Sequence, residues 1–295
     1  MYKILNKTEL NKDVDLMVIE APLVAKNTKP GNFVIIRVDK SGERIPLTIV
    51  ENDSNSITII SQKVGYSTKM LGKKNINDSL EDVVGPLGVP AHIKPLKTLV
   101  AVAGGVGAAP LYPQLKAYFD QGTEIDLIIG ASNKEHLIHL DKFKDIIKNL
   151  YICTDDGSMG EKGFVTKVLE KLLSEKTYDQ AIAIGPLIMM KNVVKINKNY
   201  NLKTDVSLNP IMIDGTGMCG NCRVSIGGKV FFACVDGPDF PGEEIDFDEL
   251  IERQKYYKNE EHICNLMLGE KKWFQELKCL NLMQQSEIRI LKKLL

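Results

Sequence analysis

Four residues of the types that bind iron lie close together along one stretch of the chain. Asp214 comes first, Cys219 and Cys222 follow in a Cys-Gly-Asn-Cys loop, and Cys234 comes last. The gaps between them, of four, two and eleven residues, are close to those with which a chain wraps a [2Fe-2S] cluster, except that Asp stands in the first place. The pattern predicts a [2Fe-2S] cluster, and therefore an electron carrier.

The surroundings of these residues are rich in glycine. Gly215, Gly217 and Gly220 would let backbone N–H groups turn toward the sulfides of a cluster. A zinc knuckle could use the same loop, although structural zinc sites usually have two Cys-x-x-Cys pairs or a Cys and His set. Ordinary buried thiols are a third interpretation. Asp214 could bind iron or only cap the loop, with a non-protein ligand or Cys264 completing the coordination.

Length and composition limit the kind of protein that carries this loop. The chain has 295 residues, of which 44% are hydrophobic, so two or three globular domains are expected. Its 38 basic and 38 acidic residues balance, which gives no reason to expect nucleic acid or a membrane surface as a partner. No apolar run approaches the ~18 residues of a membrane span. The six cysteines suit metal ligands and free thiols, so a cytoplasmic protein is expected.

Two patterns of secondary structure precede the cysteine loop. Residues 1–95 predict a small antiparallel β barrel, because short runs with a period near two are separated by turns. Residues 96–205 alternate short apolar strands with helical stretches, which predicts an α/β domain with a parallel sheet. We expect residues 206–262 to form the cluster lobe and residues 263–295 to form a helical C-terminal tail.

The first strand of the predicted parallel sheet runs into a glycine-rich turn, Gly104-Gly105-Val106-Gly107. Small residues there would let a phosphate approach the N-terminus of the next helix. Pro110 stands where a dinucleotide-binding motif has its third glycine, so a tight turn without a ligand is the alternative. The position after the first strand of an alternating domain favours nucleotide binding.

Two further loops follow strands of the same sheet, and ligands of parallel sheets bind at the carboxyl ends of strands. Asp155 and Asp156 follow one strand, and Gly185 follows another. A carboxylate there can accept hydrogen bonds from a ribose diol and repel a 2′-phosphate, which favours NAD(H) over NADP(H). The alternative for the Asp pair is a solvated turn or a helix cap.

Two segments of the predicted barrel have residue types that suit a flavin. The first contains Arg44, whose guanidinium can hold a pyrophosphate, and Thr48, whose hydroxyl can reach the isoalloxazine edge. The second contains Gly65, Ser67 and Thr68, which can present backbone and hydroxyl donors. Either segment could instead be only a strand or a turn.

The predicted domains follow one another as barrel, dinucleotide domain and cluster lobe, and in this order the chain resembles the ferredoxin-NADP reductase superfamily. The chain is most similar to the family that includes the small, alpha subunit of NADH-dependent reduced ferredoxin:NADP oxidoreductase and the electron-transfer subunit of dihydroorotate dehydrogenase. The resemblance covers residues 1 to about 262. Its most specific stretches are 207–220 and 232–238.

The resemblance implies three cofactors, FAD, NAD(H) and a [2Fe-2S] cluster, and it assigns residues to each. The flavin residues are Arg44, Pro46, Leu47 and Thr48, with Thr48 as the candidate catalytic residue, and Gly65, Ser67 and Thr68 in the FAD phosphate loop. The nicotinamide dinucleotide residues are Gly104, Gly105, Val106, Gly107, Asp155, Asp156 and Gly185. The iron ligands are Asp214, Cys219, Cys222 and Cys234. Asp214 sets the chain apart, since the dihydroorotate dehydrogenase subunit has Cys in that place.

The expected function is that of an iron-sulfur flavoprotein oxidoreductase subunit that moves electrons between NAD(H), FAD and the cluster. Flavin is the cofactor that exchanges both hydride and single electrons. The implied partner is a larger flavin and iron-sulfur subunit that binds NADP(H) and ferredoxin in a heterodimer. Another partner, such as dihydroorotate dehydrogenase or a sulfide dehydrogenase, and a non-enzymatic redox sensor are the alternatives.

Overall fold

The computed structural model describes residues 1–267 of the chain. The first sheet contains β1 (Tyr2–Asn11), β2 (Val14–Glu20), β3 (Phe33–Arg37), β4 (Arg44–Asn52), β5 (Ser56–Gln62), β6 (Ser79–Leu80) and β7 (Asp82–Leu87). Two short helices accompany it, α1 (Pro22–Asn27) and α2 (Tyr66–Gly72). The strands are antiparallel in the order β6-β1-β2-β5-β4-β3-β7 and form a nearly closed barrel. The predicted barrel is confirmed.

The alternating sequence of β2 explains the interior of the barrel. Met17 and Ile19 are fully buried and lie opposite Ile59 and Ile57 of β5. Because residues two apart on a strand point to the same face, these pairs fill one continuous apolar layer.

The second sheet begins with strands that alternate with helices. Its elements up to residue 207 are β8 (Thr98–Gly104), α3 (Ala108–Asp120), β9 (Glu124–Ala131), α4 (Leu140–Phe143), β10 (Asn149–Thr154), β11 (Glu161–Lys162), α5 (Val165–Glu175), β12 (Gln180–Ile184), α6 (Leu187–Asn199) and β13 (Thr204–Ser207). Strands β8 to β13 pair in parallel. The buried residues of α5 recur at helical spacing, Val165, Val168, Leu169, Leu172 and Leu173, so one face packs on the sheet. The predicted parallel α/β fold is confirmed.

The remaining elements are β14 (Arg223–Ile226), β15 (Lys229–Phe232), β16 (Asp239–Pro241), α7 (Phe247–Arg253) and α8 (Lys258–Met267). Strands β14 and β15 form a separate hairpin. Strand β16 pairs antiparallel with β13, which extends the second sheet to the order β11-β10-β9-β8-β12-β13-β16. The stretch with the cysteine loop therefore leaves the parallel sheet at β13 and rejoins it at β16.

None of the helices within residues 1–267 combines the length and the hydropathy that crossing a membrane requires. The predicted tail beyond residue 267, with Cys279, lies outside the described residues.

Candidate functional site

The hairpin of β14 and β15 brings two of the predicted iron ligands together. Cys222 directly precedes β14, Cys234 follows β15, and the N–H of Ala233 donates to the carbonyl of Cys222 at 3.0 Å. The two sulfurs lie 3.2 Å apart, and both residues are buried. Burial, with the hydrogen bond from Cys222, raises the pKa of Cys234 to about 12. Binding iron at this pair therefore has to displace thiol protons.

The other two predicted ligands form a second pair. One carboxylate oxygen of Asp214 accepts the N–H of Cys219 at 2.8 Å, and the other accepts the N–H of Thr216 at 2.8 Å. Burial would raise the pKa of Asp214, but these donors outweigh it and hold the pKa below its ordinary value. Asp214 thus caps the loop, and each oxygen keeps a second lone pair for a metal.

The arrangement fits a cluster of two irons. Gly215, Gly217 and Gly220 have φ of +76°, +83° and +67°, so the loop turns at three left-handed positions that favour glycine. Within residues 1–267 no group of three or more His, Cys, Asp or Glu side chains is placed to hold a metal ion, so the donors of the loop come as two separate pairs. Two pairs of donors, one with both sulfurs buried and one at the surface, suit two adjacent irons.

The alternative ligand Cys264 lies elsewhere. Its helix, α8, packs against α2 of the barrel, where Lys69 donates to Asn265 at 2.8 Å. The free cysteines of the described chain are Cys153, Cys219, Cys222 and Cys234, without Cys264. This position disfavours Cys264 as the residue that completes the coordination.

Three of the predicted nucleotide residues, Gly104, Gly107 and Gly185, meet at the carboxyl edge of the parallel sheet, where the turns after β8 and β12 pack against each other. A Cβ on Gly107 would lie 2.3 Å from the carbonyl oxygen of Ile184, and one on Gly104 would lie 2.6 Å from the sulfur of Met189. A Cβ on Gly185 would lie 2.9 Å from the backbone nitrogen of Gly104. These three glycines are therefore required by contacts between the two loops.

Gly105 differs from its neighbours. Its φ is +54°, and a Cβ added to it would meet nothing within 4 Å. It begins the short 3-10 turn Gly105–Gly107 that leads into α3. The open side of this turn is where a phosphate can approach the backbone.

The structure separates the two aspartates of the next loop. Asp156 accepts the N–H of Ser158 at 2.9 Å, and the hydroxyl and N–H of Ser158 hold its pKa below the ordinary value. It therefore forms the turn. Asp155 is exposed, and its carboxylate has no hydrogen bond or ion pair to any residue of the described chain. Asp155 is thus the carboxylate available to a ribose.

The two predicted flavin segments are adjacent. Ser67, in α2, donates to Glu43 at 2.9 Å, next to Arg44 at the start of β4. Thr68 accepts the N–H of Gly65 at 3.0 Å and donates to its carbonyl, so both hydroxyls are engaged within the protein. Backbone N–H groups are what this loop offers to a phosphate. The hydroxyl of Thr48, on β4, makes no hydrogen bond to the residues that the structure describes.

The barrel contacts both the second sheet and the cysteine lobe. On one side α3 packs against β4. On the other, a Cβ on Gly215 would come within 2.8 Å of Ile35, which pairs with Pro46 of β4. The carbonyl of Gly237 also accepts the N–H of Val89 at 2.6 Å, which joins the cysteine lobe to the barrel. A flavin along β4 would therefore have the nucleotide site and the cysteine loop as neighbours.

Two further residues contact the predicted segments, and the sequence patterns do not identify them. Glu43 positions Ser67, and Arg253 donates to the carbonyl of Asn221 inside the cysteine loop at 2.9 Å. Neither belongs to a motif, because each acts on a segment distant along the chain.

Barrel, parallel sheet and cysteine loop together define an iron-sulfur flavoprotein reductase, and comparisons with known proteins agree. Residues 101–195 match the oxidoreductase NAD-binding domain, and residues 209–246 match the iron-sulfur cluster binding domain of dihydroorotate dehydrogenase B.

Similar whole proteins include two curated relatives. An uncharacterized protein in the adh 3′ region of Clostridium beijerinckii is 50% identical over 92% of this chain and 95% of its own length. A dihydroorotate dehydrogenase B (NAD(+)) electron transfer subunit homolog of Thermotoga maritima is 44% identical over 89% of this chain and 94% of its own.

A solved structure gives the same result. It is a structure of NADH-dependent reduced ferredoxin-NADP oxidoreductase that was described for its insights into flavin-based electron bifurcation. Its chain is 42% identical to this one, with a TM-score of 0.87, and the match covers 92% of this chain and 98% of that one. The chain belongs to the family of dihydroorotate dehydrogenase B electron-transfer subunits and their homologues. It is an oxidoreductase subunit whose cofactors are FAD, NAD(H) and a [2Fe-2S] cluster.

Proposed function

We propose that the chain works in an NADH-dependent ferredoxin:NADP oxidoreductase complex. In the cytoplasm, it would exchange electrons with a larger flavin and iron-sulfur subunit that binds NADP(H) and ferredoxin. The contacts of the barrel support the proposal, because α3 packs against β4 and Gly215 approaches Ile35 of β3, the strand that pairs with β4. The likeness to the solved oxidoreductase supports this choice of complex.

We propose one role for each group of residues. The cluster has two ligand pairs. One is Asp214 with Cys219, and the other is Cys222 with Cys234. Gly105 and the N-terminus of α3 receive the pyrophosphate of NAD(H), and Asp155 accepts the ribose hydroxyls. Arg44 would hold the pyrophosphate of FAD, and the hydroxyl of Thr48 would be free to bind the isoalloxazine.

The chemistry requires positioning more than acid-base groups. Bound flavin supplies the exchange between a hydride and single electrons. The protein would hold the nicotinamide against it, beside the closely packed turns at Gly104 and Gly185. The cysteine loop, with Cys219 at the surface, gives the electrons an exit toward a partner.

The identity of the partner is tested by anaerobic purification of the native complex. We expect a companion chain with flavin and iron-sulfur centres, and NADPH formation from NADH and reduced ferredoxin. A dihydroorotate-oxidising companion would instead support the dihydroorotate dehydrogenase alternative, which Asp214 argues against. A chain with a full cluster but no NADH-dependent dye reduction would be a redox sensor.

The flavin assignment has its own test. The isolated chain should carry about one FAD per polypeptide, since a converter between hydride and single electrons is needed. Arg44→Ala should weaken FAD retention, while Arg37→Ala, one strand away in a pair with Asp82, should not. Stoichiometric FMN, or an intact cluster without flavin, would contradict the assignment.

A further inference from the structure

The cysteine lobe contains a buried cation without a paired carboxylate. Arg253, the last residue of α7, is only 8% exposed. In the described chain no carboxylate forms an ion pair with it, and its Nε has no hydrogen-bond partner. Burying a guanidinium without an ion pair is costly, so a compensating negative charge is expected nearby.

The cysteine loop is where Arg253 points. Its Nη2 donates to the carbonyl of Asn221 at 2.9 Å, and Asn221 lies between Cys219 and Cys222. The cation is thus attached to the loop that carries two proposed ligands.

The other groups around Arg253 do not neutralise it. Arg223 repels it, and Glu249, one turn earlier on α7, attracts it without forming an ion pair. The ring of Tyr256 lies 5.5 Å from the guanidinium carbon. A cavity of about 10 Å³ beside it, next to Pro210, has room for about one water, which could satisfy Nε but would leave the charge.

We propose that Arg253 is a positioning residue whose buried charge, hydrogen-bonded to the cysteine loop, raises the reduction potential of the [2Fe-2S] cluster. The inference rests on the proposed ligand set. Reduction transfers one electron from flavin to the cluster, with no bond formed or broken, and makes the ligated cluster one unit more negative. A buried cation nearby stabilises that reduced form more than the oxidised form.

The test uses the full chain loaded with FAD and cluster. Arg253→Gln keeps a donor for Asn221 but removes the charge, whereas Arg253→Lys keeps the charge. Lys229→Gln removes an exposed charge from the same lobe, where solvent screens it. Midpoint potentials from EPR-monitored titrations should fall for the Arg253→Gln protein and stay near wild type for the other two.

The outcomes separate this inference from the proposed function. An Arg253→Gln protein with full iron content and an unchanged potential would overturn it, as would an equal fall in Arg253→Lys. Loss of the cluster in Arg253→Gln, with folding intact by circular dichroism, would also overturn it, because the role would then be assembly. Retention of the cluster in Cys222→Ala would instead refute the ligand set.

Discussion

The cysteine lobe and the nucleotide edge are built in opposite ways. The lobe gathers its proposed ligands from one stretch, 214–234, and its glycines turn the chain at positive φ. The nucleotide edge takes its candidate residues from the separate turns after β8, β10 and β12, and Gly104, Gly107 and Gly185 are needed because the turns after β8 and β12 pack closely. All three lobe glycines therefore serve conformation, although Gly215 also lies close to the barrel, whereas at the nucleotide edge Gly105 serves conformation and the other three serve close approach.

This difference has a practical consequence. A local site should lose its ligand when one side chain is removed, with little effect on the rest of the fold. A site assembled from distant loops should suffer when their packing is disturbed, even by a methyl group that touches no ligand.

The largest effect is expected at the lobe. Cys222→Ala should remove essentially all [2Fe-2S] iron, because a buried pair of sulfurs becomes a single donor. NADH-dependent dye reduction through the flavin should persist. Cys153→Ala, at a buried free cysteine of β10, is the control and should keep its iron. Iron analysis and EPR measure both, and a full cluster in Cys222→Ala would break the comparison.

The second largest effect is expected when a methyl group is added at the nucleotide edge. Gly107→Ala places a Cβ 2.3 Å from the carbonyl of Ile184, so we expect a loss of about 2–3 kcal/mol in unfolding free energy and weaker NADH binding. Gly122→Ala has φ of +84° and open space, and should cost only about 1 kcal/mol of backbone strain. Urea unfolding and NADH titration measure these effects. Equal losses in the two variants would show that crowding is not the reason for Gly107.

The contact between α3 and β16 should make the stability of the protein depend on pH. Asp239, on β16, accepts a hydrogen bond from Gln114 at 2.9 Å, and burial raises the pKa of its carboxyl from 3.8 to about 7. A raised pKa favours the folded state fully below pH 3.8, and this contribution is lost as the pH rises to about 7.

Asp239→Asn should therefore stabilise the protein by about 1–2 kcal/mol at pH 8 and much less at pH 5. Thermal unfolding at both values compares the variant with wild type. Asp205→Asn, on the neighbouring strand, tests whether the second carboxylate contributes to the shift. A gain that is equal at pH 5 and pH 8 would exclude titration of Asp239 as its cause.

The smallest expected effect concerns nucleotide choice. Asp155→Ala should improve the use of NADPH relative to NADH by about tenfold, because it removes a carboxylate that repels a 2′-phosphate. Asp156→Ala removes the same charge next to it but also the bond to Ser158. Ratios of kcat/KM measure the difference. An equal change in both variants would assign the preference to the general field of the loop.

Much of this molecule could be read from its sequence because the signals are local. The period of two in Val14–Glu20 predicts β2, and the apolar runs that alternate with helices predict the parallel sheet. The spacing of Asp214 and the three cysteines predicts the cluster, since its ligands are neighbours along the chain. Strand β1 carries no such signal, because much of it is exposed and its sequence lacks a clear apolar alternation.

Only the tertiary structure decided which candidate side chains are free to bind a ligand and which are already bonded within the protein. It shows that Asp156 closes a turn while Asp155 stays unengaged, and that the hydroxyls of Ser67 and Thr68 are already bonded. It also joins β16 to β13 and brings Arg253 to the cysteine loop. These contacts connect segments far apart in the chain, and hydrogen bonds between such segments depend on the folded geometry and not on local residue pattern.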